Sequence, residues 1–170
     1  MPPPPTARLE FRRWRAEDAD LASTLWCDPR VMQFLGGPYS ADEVRERLAR
    51  EVANDAQFGI QYWPVFTRET NEFAGCCGLK PHRPDDCEYE IGFHFLPKFW
   101  GGGYASEAAR AVMAWAFEEF KVSALFAGHH PENEASRALL RKLGFEVLGT
   151  HFFARTGLDH PWLRRIQSAP

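Results

Sequence analysis

Hydrophobic positions in the first third of the chain switch from strand spacing to helical spacing. Residues 9–14 alternate apolar and polar, which predicts a β-strand. Residues 16–26 carry apolar side chains at helical intervals, and the pair Asp28-Pro29 is expected to break that short helix. A second helix begins at Ser40, whose hydroxyl is placed to cap the chain while Glu43 reaches back in a capping box. The chain therefore opens as strand, helix, helix.

The rest of the chain alternates further strands with two more helices. Two strands over 59–66 and 72–79 are joined by the turn residues 68–71, as in a β-hairpin. Trp63 lies in the middle of the first of them, and we expect it to pack in the core. The other predicted strands cover 88–95, 122–127, 146–155 and 162–166, and the helices 104–120 and 135–143. This order predicts an α/β chain of six to seven strands and about four helices.

One stretch, residues 88–120, joins a strand to a helix through three consecutive glycines at 101–103. Glycine lets the backbone approach a ligand closely, and the free N–H groups of a first helical turn favour negative charge. The segment therefore predicts a phosphate-binding loop. No lysine follows the glycines, as a nucleoside triphosphate loop requires, and Ser106 stands where a dinucleotide fingerprint needs its third glycine. Both of those nucleotide classes are excluded.

The strand before the glycines has two chemically different faces. Glu88, Glu90, Gly92 and His94 point to one side, whereas the alternate positions are aromatic or isoleucine. We expect the aromatic face to pack against helices, which leaves the glutamate face to a ligand. Pro97 has no N–H, so it ends the strand.

Residues 97–108, with the sequence PKFWGGGYASEA, resemble the acetyl-CoA pyrophosphate loop of the GNAT superfamily of N-acetyltransferases. They are most similar to the RimJ/RimL-like branch, which includes enzymes that acetylate the N-termini of ribosomal proteins. A second segment, 133–145, resembles the family signature in which Asn-x-x-Ser opens a helix and Leu-Gly-Phe closes it. The resemblance runs from about residue 7 to residue 166. It implies an α/β (α+β) fold with a central mixed, mostly antiparallel sheet, and acetyl-CoA as co-substrate.

The resemblance also implies which residues hold acetyl-CoA. Loop amides bind the pyrophosphate, the end of the preceding strand bonds the pantetheine arm, and Asn133 contacts that arm. Asn133 also fits the simpler role of a helix N-cap. Lys98 stands where the superfamily often has Gln or Arg, and it keeps a positive charge. The expected cofactor-binding residues are Phe95, Leu96, Lys98, Gly101, Gly102, Gly103, Tyr104, Ala105, Ser106 and Asn133.

Acyl transfer to an amine requires a base, because an amine with a pKa near ~10 is mostly protonated at neutral pH. Glu90 is the candidate base, directly or through a water, with Glu88 second and His94 as an alternative. The amide of Leu96, expected to be free where the strand ends, is the candidate oxyanion donor. Ser136 is the candidate acid for the departing thiolate. Family members often use a tyrosine for that step, and this chain has none after Tyr104.

Composition narrows the class of protein. With 170 residues we expect one domain over 7–170, after a disordered proline-rich leader over 1–6. The formal net charge is −3 and the basic residues are scattered, so no nucleic acid partner is expected. No apolar run approaches the ~20 residues of a membrane span, and the first residues do not form a signal peptide. We therefore expect a cytoplasmic protein without a membrane partner.

The cysteines and histidines predict no metal site. The cysteines fit no metal-ligand spacing and are expected to be free thiols: Cys27, Cys76, Cys77 and Cys87. His129 and His130 precede a helix, but a third ligand at suitable spacing is missing.

The acceptor and the assembly stay open at this stage. The apolar, glycine-rich loop over 34–39 is either an acceptor specificity loop or a loop packed on the core. Candidate acceptors are a protein N-terminus, a small amine or an aminoglycoside-like antibiotic, and the acidic residues Asp85, Asp86 and Glu88 would draw a cation. The alternative function is an acyl-CoA-binding regulatory module without turnover. A monomer or a homodimer is expected.

Overall fold

The centre of the fold is one seven-stranded sheet; the computed structural model describes residues 1–167. Its strands are β1 (Leu9–Phe11), β2 (Tyr62–Thr67), β3 (Phe73–Arg83), β4 (Glu88–Phe95), β5 (Ala124–Gly128), β6 (Glu146–Phe153) and β7 (Leu158–Ile166). They lie in the order β1-β2-β3-β4-β5-β7-β6, and every neighbouring pair is antiparallel except β4 and β5. The expected mixed, mostly antiparallel sheet is confirmed.

Five α-helices occur in the described residues, one more than expected. They are α1 (Ala19–Trp26), α2 (Pro29–Met32), α3 (Ala41–Phe58), α4 (Tyr104–Glu118) and α5 (Glu134–Lys142). The additional helix is α2, because the Asp28 carboxylate accepts hydrogen bonds from the backbone N–H groups of Arg30 and Val31 and so caps a new helix. The capping box predicted at Ser40 and Glu43 is confirmed at the start of α3.

Strand β1 is half as long as predicted, because the main-chain N–H of Trp14 does not bond to the backbone of a neighbouring strand. The N–H of Trp14 donates to the side-chain Oε1 of Gln61 at 2.7 Å, and its indole N–H donates to the Tyr62 carbonyl at 2.6 Å. A buried glutamine side chain thus takes the place of a strand partner. Strand β3, in contrast, continues to Arg83, beyond its predicted end.

Hydrophobic packing covers both faces of the sheet. On one face the small buried residues of α4 share a core with Tyr89, Ile91 and Phe95, so the aromatic face of β4 packs as expected. Trp63 is fully buried and meets Trp115 of α4 edge to face at 5.1 Å, which confirms its core role. On the other face α1 and α3 cover a second core, to which β2 and β3 contribute.

In the centre of the sheet, strands β4 and β5 separate after a short paired stretch. Strands β4 and β5 pair from Glu88 opposite Ala124 to Glu90 opposite Phe126, and from there to its end β4 is paired with β3 only. This half-paired strand leads directly into the glycine loop, so the opening and the loop are neighbours in the fold.

Several remaining expectations concern the chain as a whole. The four cysteines are free thiols, as predicted. Residues 1–6 hold no helix or strand, and their disorder stays a prediction, as does the single domain over 7–170, whose last three residues lie outside the described part. Within residues 1–167, no helix combines the length and apolar character needed to cross a bilayer.

Candidate active site

A cavity of about 640 Å³ runs along the open part of the sheet. One end is walled by the glycine loop and the start of α4, the middle by β4, and the far end by α2 and the β6–β7 hairpin. Because the cavity joins the predicted phosphate loop to the glutamate face of β4, a ligand lying along it would touch both.

The glycine loop has the backbone geometry that an anion site needs. Gly101 and Gly103 have φ angles of +74° and +78°, in the left-handed region that favours glycine. Gly103 is the N-cap of α4, and the N–H of Glu107 donates to its carbonyl at 3.0 Å. The amides of 104–106 precede that first helical bond and have no acceptor within the helix. All three residues line the cavity.

Most of the expected cofactor residues line the cavity: Phe95, Gly101, Gly103, Tyr104, Ala105, Ser106 and Asn133. Leu96, Lys98 and Gly102 stand outside its wall. The ammonium of Lys98 pairs with the two carboxylate oxygens of Glu72 at 2.5 and 2.7 Å, so its charge is matched away from the cavity. Contact of any of these residues with acetyl-CoA stays a prediction.

The amide of Leu96 is not free, so its predicted role as an oxyanion donor is wrong. It donates to the carbonyl of Ala74 at 2.9 Å and extends the ladder between β3 and β4 by one step. Since bonded positions alternate along an antiparallel ladder, the amides of Phe93 and Phe95 face the other edge, where β5 has parted. The Phe95 carbonyl faces that edge too, because it accepts the indole N–H of Trp100 at 2.7 Å.

The two glutamates of β4 differ in their ion-pair partners and in whether they line the cavity. Glu90 lines the cavity, and its Oε1 lies 3.0 Å from Nζ of Lys80 on β3. Glu88 pairs with Arg83 at 2.5 Å and lies outside the cavity wall. The structure thus brings the first candidate base to the cavity and leaves the second one away from it.

His94, the alternative base, is held as a neutral imidazole. The indole N–H of Trp26 donates to its Nδ1 at 3.3 Å, which assigns the ring proton to Nε2. Burial, together with the positive charges of Arg47 and Lys80, lowers the pKa of His94 to about 3. An imidazole with so low a pKa is a weak base, and the choice of Glu90 as the base stays a prediction.

Tyr62, on β2, is a cavity residue that the sequence interpretation missed. Its ring crosses the sheet and places its hydroxyl at Gly92, where any Cβ would collide with it. Burial raises the pKa of Tyr62 well above its ordinary value, so the phenol keeps its proton. A glycine in mid-strand often marks such a close approach, and Gly92 was the available signal.

Asn133 is the N-cap of α5, as the simpler interpretation has it. Its Oδ1 accepts the backbone N–H of Ser136 at 3.0 Å. Both residues also line the cavity. The contact of Asn133 with the coenzyme arm and the role of Ser136 as an acid stay predictions.

The loop over 34–39 forms part of the cavity wall and is held by Arg155, from the turn between β6 and β7. The guanidinium of Arg155 pairs with Glu43 at 2.6 Å, lies 4.2 Å from the ring centre of Tyr39 and donates to two loop carbonyls. Hydrogen bonds from Ser40 and Arg155 lower the pKa of Glu43 to about 2. No local sequence signal points to Arg155, since its partners are more than a hundred positions away.

The histidines near the far end of the cavity have protein partners. Nδ1 of His129 meets the carbonyl of His130 at 2.8 Å, and Nε2 of His160 meets Oγ1 of Thr156 at 2.9 Å. Across residues 1–167, no cluster of three or more potential metal-binding side chains is present.

The gap between β4 and β5, the glycine loop at the head of α4 and the cavity between them form the kind of site that an acyl-transferring enzyme needs for a long anionic donor. The chain belongs to the acetyltransferase (GNAT) family, whose domain model matches residues 8–146. It is an acetyl-CoA-dependent N-acetyltransferase.

Three known proteins illustrate the relationship. An uncharacterized protein, YkkB of Bacillus subtilis, is 33% identical over 147 residues, covering 85% of this chain and 86% of that protein. The FsC-acetyl coenzyme A-N(2)-transacetylase of Aspergillus fumigatus is 34% identical over 161 residues, covering 86% and 66%. The solved RimL ribosomal L7/L12 α-N-protein acetyltransferase in complex with coenzyme A has a TM-score of 0.80 at 20% identity, covering 96% of both chains. At that identity the likeness shows the fold.

Proposed function

We propose that this enzyme transfers the acetyl group of acetyl-CoA directly to a primary amine, with Glu90 as the general base. One observation carries the proposal. A single cavity joins the amides at the head of α4 to the Glu90 carboxylate, and it passes through the gap between β4 and β5.

The donor occupies the glycine-loop end of the cavity. Its diphosphate lies against the backbone amides of 104–106, where the helix dipole favours negative charge. Its pantetheine arm follows the open edge of β4, where the Phe95 amide faces the gap. The related RimL fold, solved with coenzyme A, supports a donor of this kind.

The chemistry assigns one task to each group near the gap. The ammonium of the acceptor first gives a proton to Glu90, and the lone pair freed on nitrogen then attacks the thioester carbon, so a C–N bond forms and the carbonyl π electrons move to oxygen. The carbonyl oxygen becomes an oxyanion, for which the Phe93 amide at the open edge is the proposed donor, and one such donor is typically worth ~3 kcal/mol. The C–S bond then breaks. The thiolate leaves unaided, with a thiol pKa of about 8.5, or takes a proton from Ser136. The second proton of the former ammonium passes from the nitrogen to the thiolate in the first case and back to Ser136 in the second, so the products are the amide and the free thiol.

The acceptor is proposed to carry little positive charge beyond its reacting amine. Of the described residues that line the cavity, Glu90 is the one carboxylate, and Lys80 already pairs with it. Asp85 and Asp86, which the sequence suggested as an attraction for cations, lie outside the wall. A polycation would find no matching charge, so a protein N-terminus or a small monoamine is favoured over an aminoglycoside-like acceptor.

An amine panel that reads out free coenzyme A thiol tests this function. The panel contains a dipeptide with a free α-amine, a small monoamine, spermidine and an aminoglycoside. We expect thiol release with the dipeptide or the monoamine and slower release with the two polycations. Binding of acetyl-CoA without thiol release from any amine would point instead to the regulatory module, and fastest release with a polycation would overturn the acceptor class alone.

A further inference from the structure

The side chain of Arg8, just before β1, reaches over the glycine loop. Its Nε donates to Oε2 of Glu107 at 2.6 Å, and its Nη1 donates to the carbonyl of Gly102 at 3.0 Å. Its guanidinium also lies 4.2 Å from the ring centre of Tyr104. One side chain thus bonds the loop, stacks on the first residue of α4 and pairs with the first turn of that helix.

Glu107 accepts further hydrogen bonds from the same segment of the chain. Its Oε1 accepts from the hydroxyl of Thr6 at 2.5 Å and from the backbone N–H of Arg8 at 3.0 Å. Burial alone would raise the pKa of Glu107, but the bonds from Thr6 and Arg8 outweigh it and hold that pKa below its ordinary value. A carboxylate therefore stands in the first turn of α4, where its negative charge opposes that of a bound diphosphate unless a cation balances it.

We propose that Arg8 is a positioning residue for the diphosphate of acetyl-CoA. Its bond to the Gly102 carbonyl holds that oxygen on the outer side of the loop, which agrees with the position of Gly102 outside the cavity wall. The amides at the head of α4 then face the cavity, and the charge of Glu107 is balanced by the arginine that pairs with it. The inference rests on the proposed function, because it takes this loop as the diphosphate site.

The chain offers a matched control in Arg12, at the other end of β1. Its guanidinium pairs with the two oxygens of Asp18 at 2.7 and 2.9 Å, donates to the carbonyl of Arg13 at 2.8 Å and lies 4.9 Å from the ring centre of Phe66. Arg12 therefore makes the same three kinds of contact as Arg8, but its partners belong to neither the glycine loop nor α4. Its replacement measures the cost of losing such contacts in general.

The test compares a ligand with the diphosphate and one without it. Calorimetry measures the Kd of coenzyme A, and steady-state kinetics with S-acetylpantetheine as donor measures turnover when no diphosphate is present. We expect Arg8→Ala to weaken coenzyme A binding about tenfold, the scale of a lost charge-assisted hydrogen bond. We expect kcat/KM for S-acetylpantetheine to stay at the wild-type value. Arg12→Ala should match wild type in both measurements.

Each other result has a definite meaning. Equal coenzyme A affinity in wild type and Arg8→Ala, equal losses toward both ligands, or the same loss in Arg12→Ala would overturn the role of Arg8. Thermal unfolding checks that the variants are folded, and if Arg8→Ala is not, Arg8→Gln repeats the comparison because it keeps part of the stem on Tyr104. A wild-type protein that does not bind coenzyme A would defeat the proposed function itself, and this outcome is distinct from the others.

Discussion

Lys80 and Glu90 face each other directly across β3 and β4, with Nζ of the lysine 3.0 Å from Oε1 of the glutamate. Opposite charges on directly facing residues stabilise the pairing of two antiparallel strands. The ion pair also holds the Glu90 carboxylate next to Lys80. An incoming ammonium must compete with Lys80 for this carboxylate. In the proposed mechanism, Glu90 is therefore already positioned when the acceptor arrives.

The first prediction concerns the base. Glu90→Gln should lower kcat by about 10²–10⁴, the usual contribution of a general base, because glutamine cannot accept the proton. The Kd of acetyl-CoA should not change, since Glu90 lies away from the glycine loop, which is the proposed site of the diphosphate. Steady-state kinetics over a range of pH, with calorimetry for the donor, measures both.

A neighbouring glutamate provides the control for this prediction. Glu88→Gln makes the same chemical change two positions earlier on the same face of β4, at a side chain that pairs with Arg83 outside the cavity. It should keep nearly wild-type turnover. If Glu88→Gln lost as much activity as Glu90→Gln, or if Glu90→Gln lost none, Glu90 would not be the base.

The second prediction concerns the glycine loop. Gly103→Glu should abolish acetyl-CoA binding in calorimetry, because it adds a negative charge beside the diphosphate and a side chain at a φ of +78°. Gly157→Glu is the matched control, with a φ of +70° and open space around its missing Cβ, in the turn between β6 and β7. It carries the same backbone strain and charge and should bind the donor normally. Retained affinity in Gly103→Glu would refute the phosphate assignment.

The third prediction separates the acceptor from the donor. Arg155→Ala should raise KM for the amine about fivefold, corresponding to roughly 1 kcal/mol for a partly exposed ion-pair network, because the loop over 34–39 loses its anchor. KM for acetyl-CoA should stay constant. Arg45→Ala removes an exposed arginine that pairs with Asp42 on the same helix as Glu43, and it should change neither constant. A parallel rise in both KM values for Arg155→Ala would mean that the arginine supports the whole site.

The fourth prediction follows from the buried imidazole of His94. Its pKa is about 3 in the folded protein and 6.5 in the unfolded chain, so between these values the unfolded chain binds more protons. Its contribution to stability is therefore fully present above pH 6.5 and is lost as the pH falls toward 3. The slope due to one such group is about 1.4 kcal/mol per pH unit.

Denaturant unfolding between pH 6.5 and 5 measures that slope, since carboxylates titrate mainly below this window. His94→Gln should have a shallower loss of unfolding free energy than wild type over this window. Burial also lowers the pKa of His160, which adds a second contribution to the wild-type slope and leaves a remainder in the variant. Equal slopes in the two proteins would show that His94 is not held neutral.

Features coded by neighbouring residues were predictable from the sequence. The capping box at Ser40, the break at Asp28 and the loop that heads α4 each depend on residues a few positions apart, and the structure has all three. The two faces of β4 follow from simple alternation, which placed Glu90 toward the cavity. Local chemistry was therefore enough to find the cavity and its base candidate.

Features coded by distant pairs were not predictable. The Leu96 amide was expected to be free because proline follows it, but its acceptor, Ala74, comes from a strand more than 20 positions earlier. Tyr62 reaches Gly92 from two strands away, and Arg155 meets Glu43 across 112 positions. Such contacts depend on sheet order and register, which one sequence does not specify.

A gap in the middle of a sheet leaves an unpaired strand edge, which carries a risk of aggregation. Unpaired strand edges are templates for foreign strands, and this is a common route to aggregation. Here the indole of Trp100 occupies the Phe95 carbonyl, so the last acceptor along the exposed edge of β4 is already taken. A second polypeptide that paired with this end of β4 in full register would therefore have to compete with the Trp100 indole for the Phe95 carbonyl.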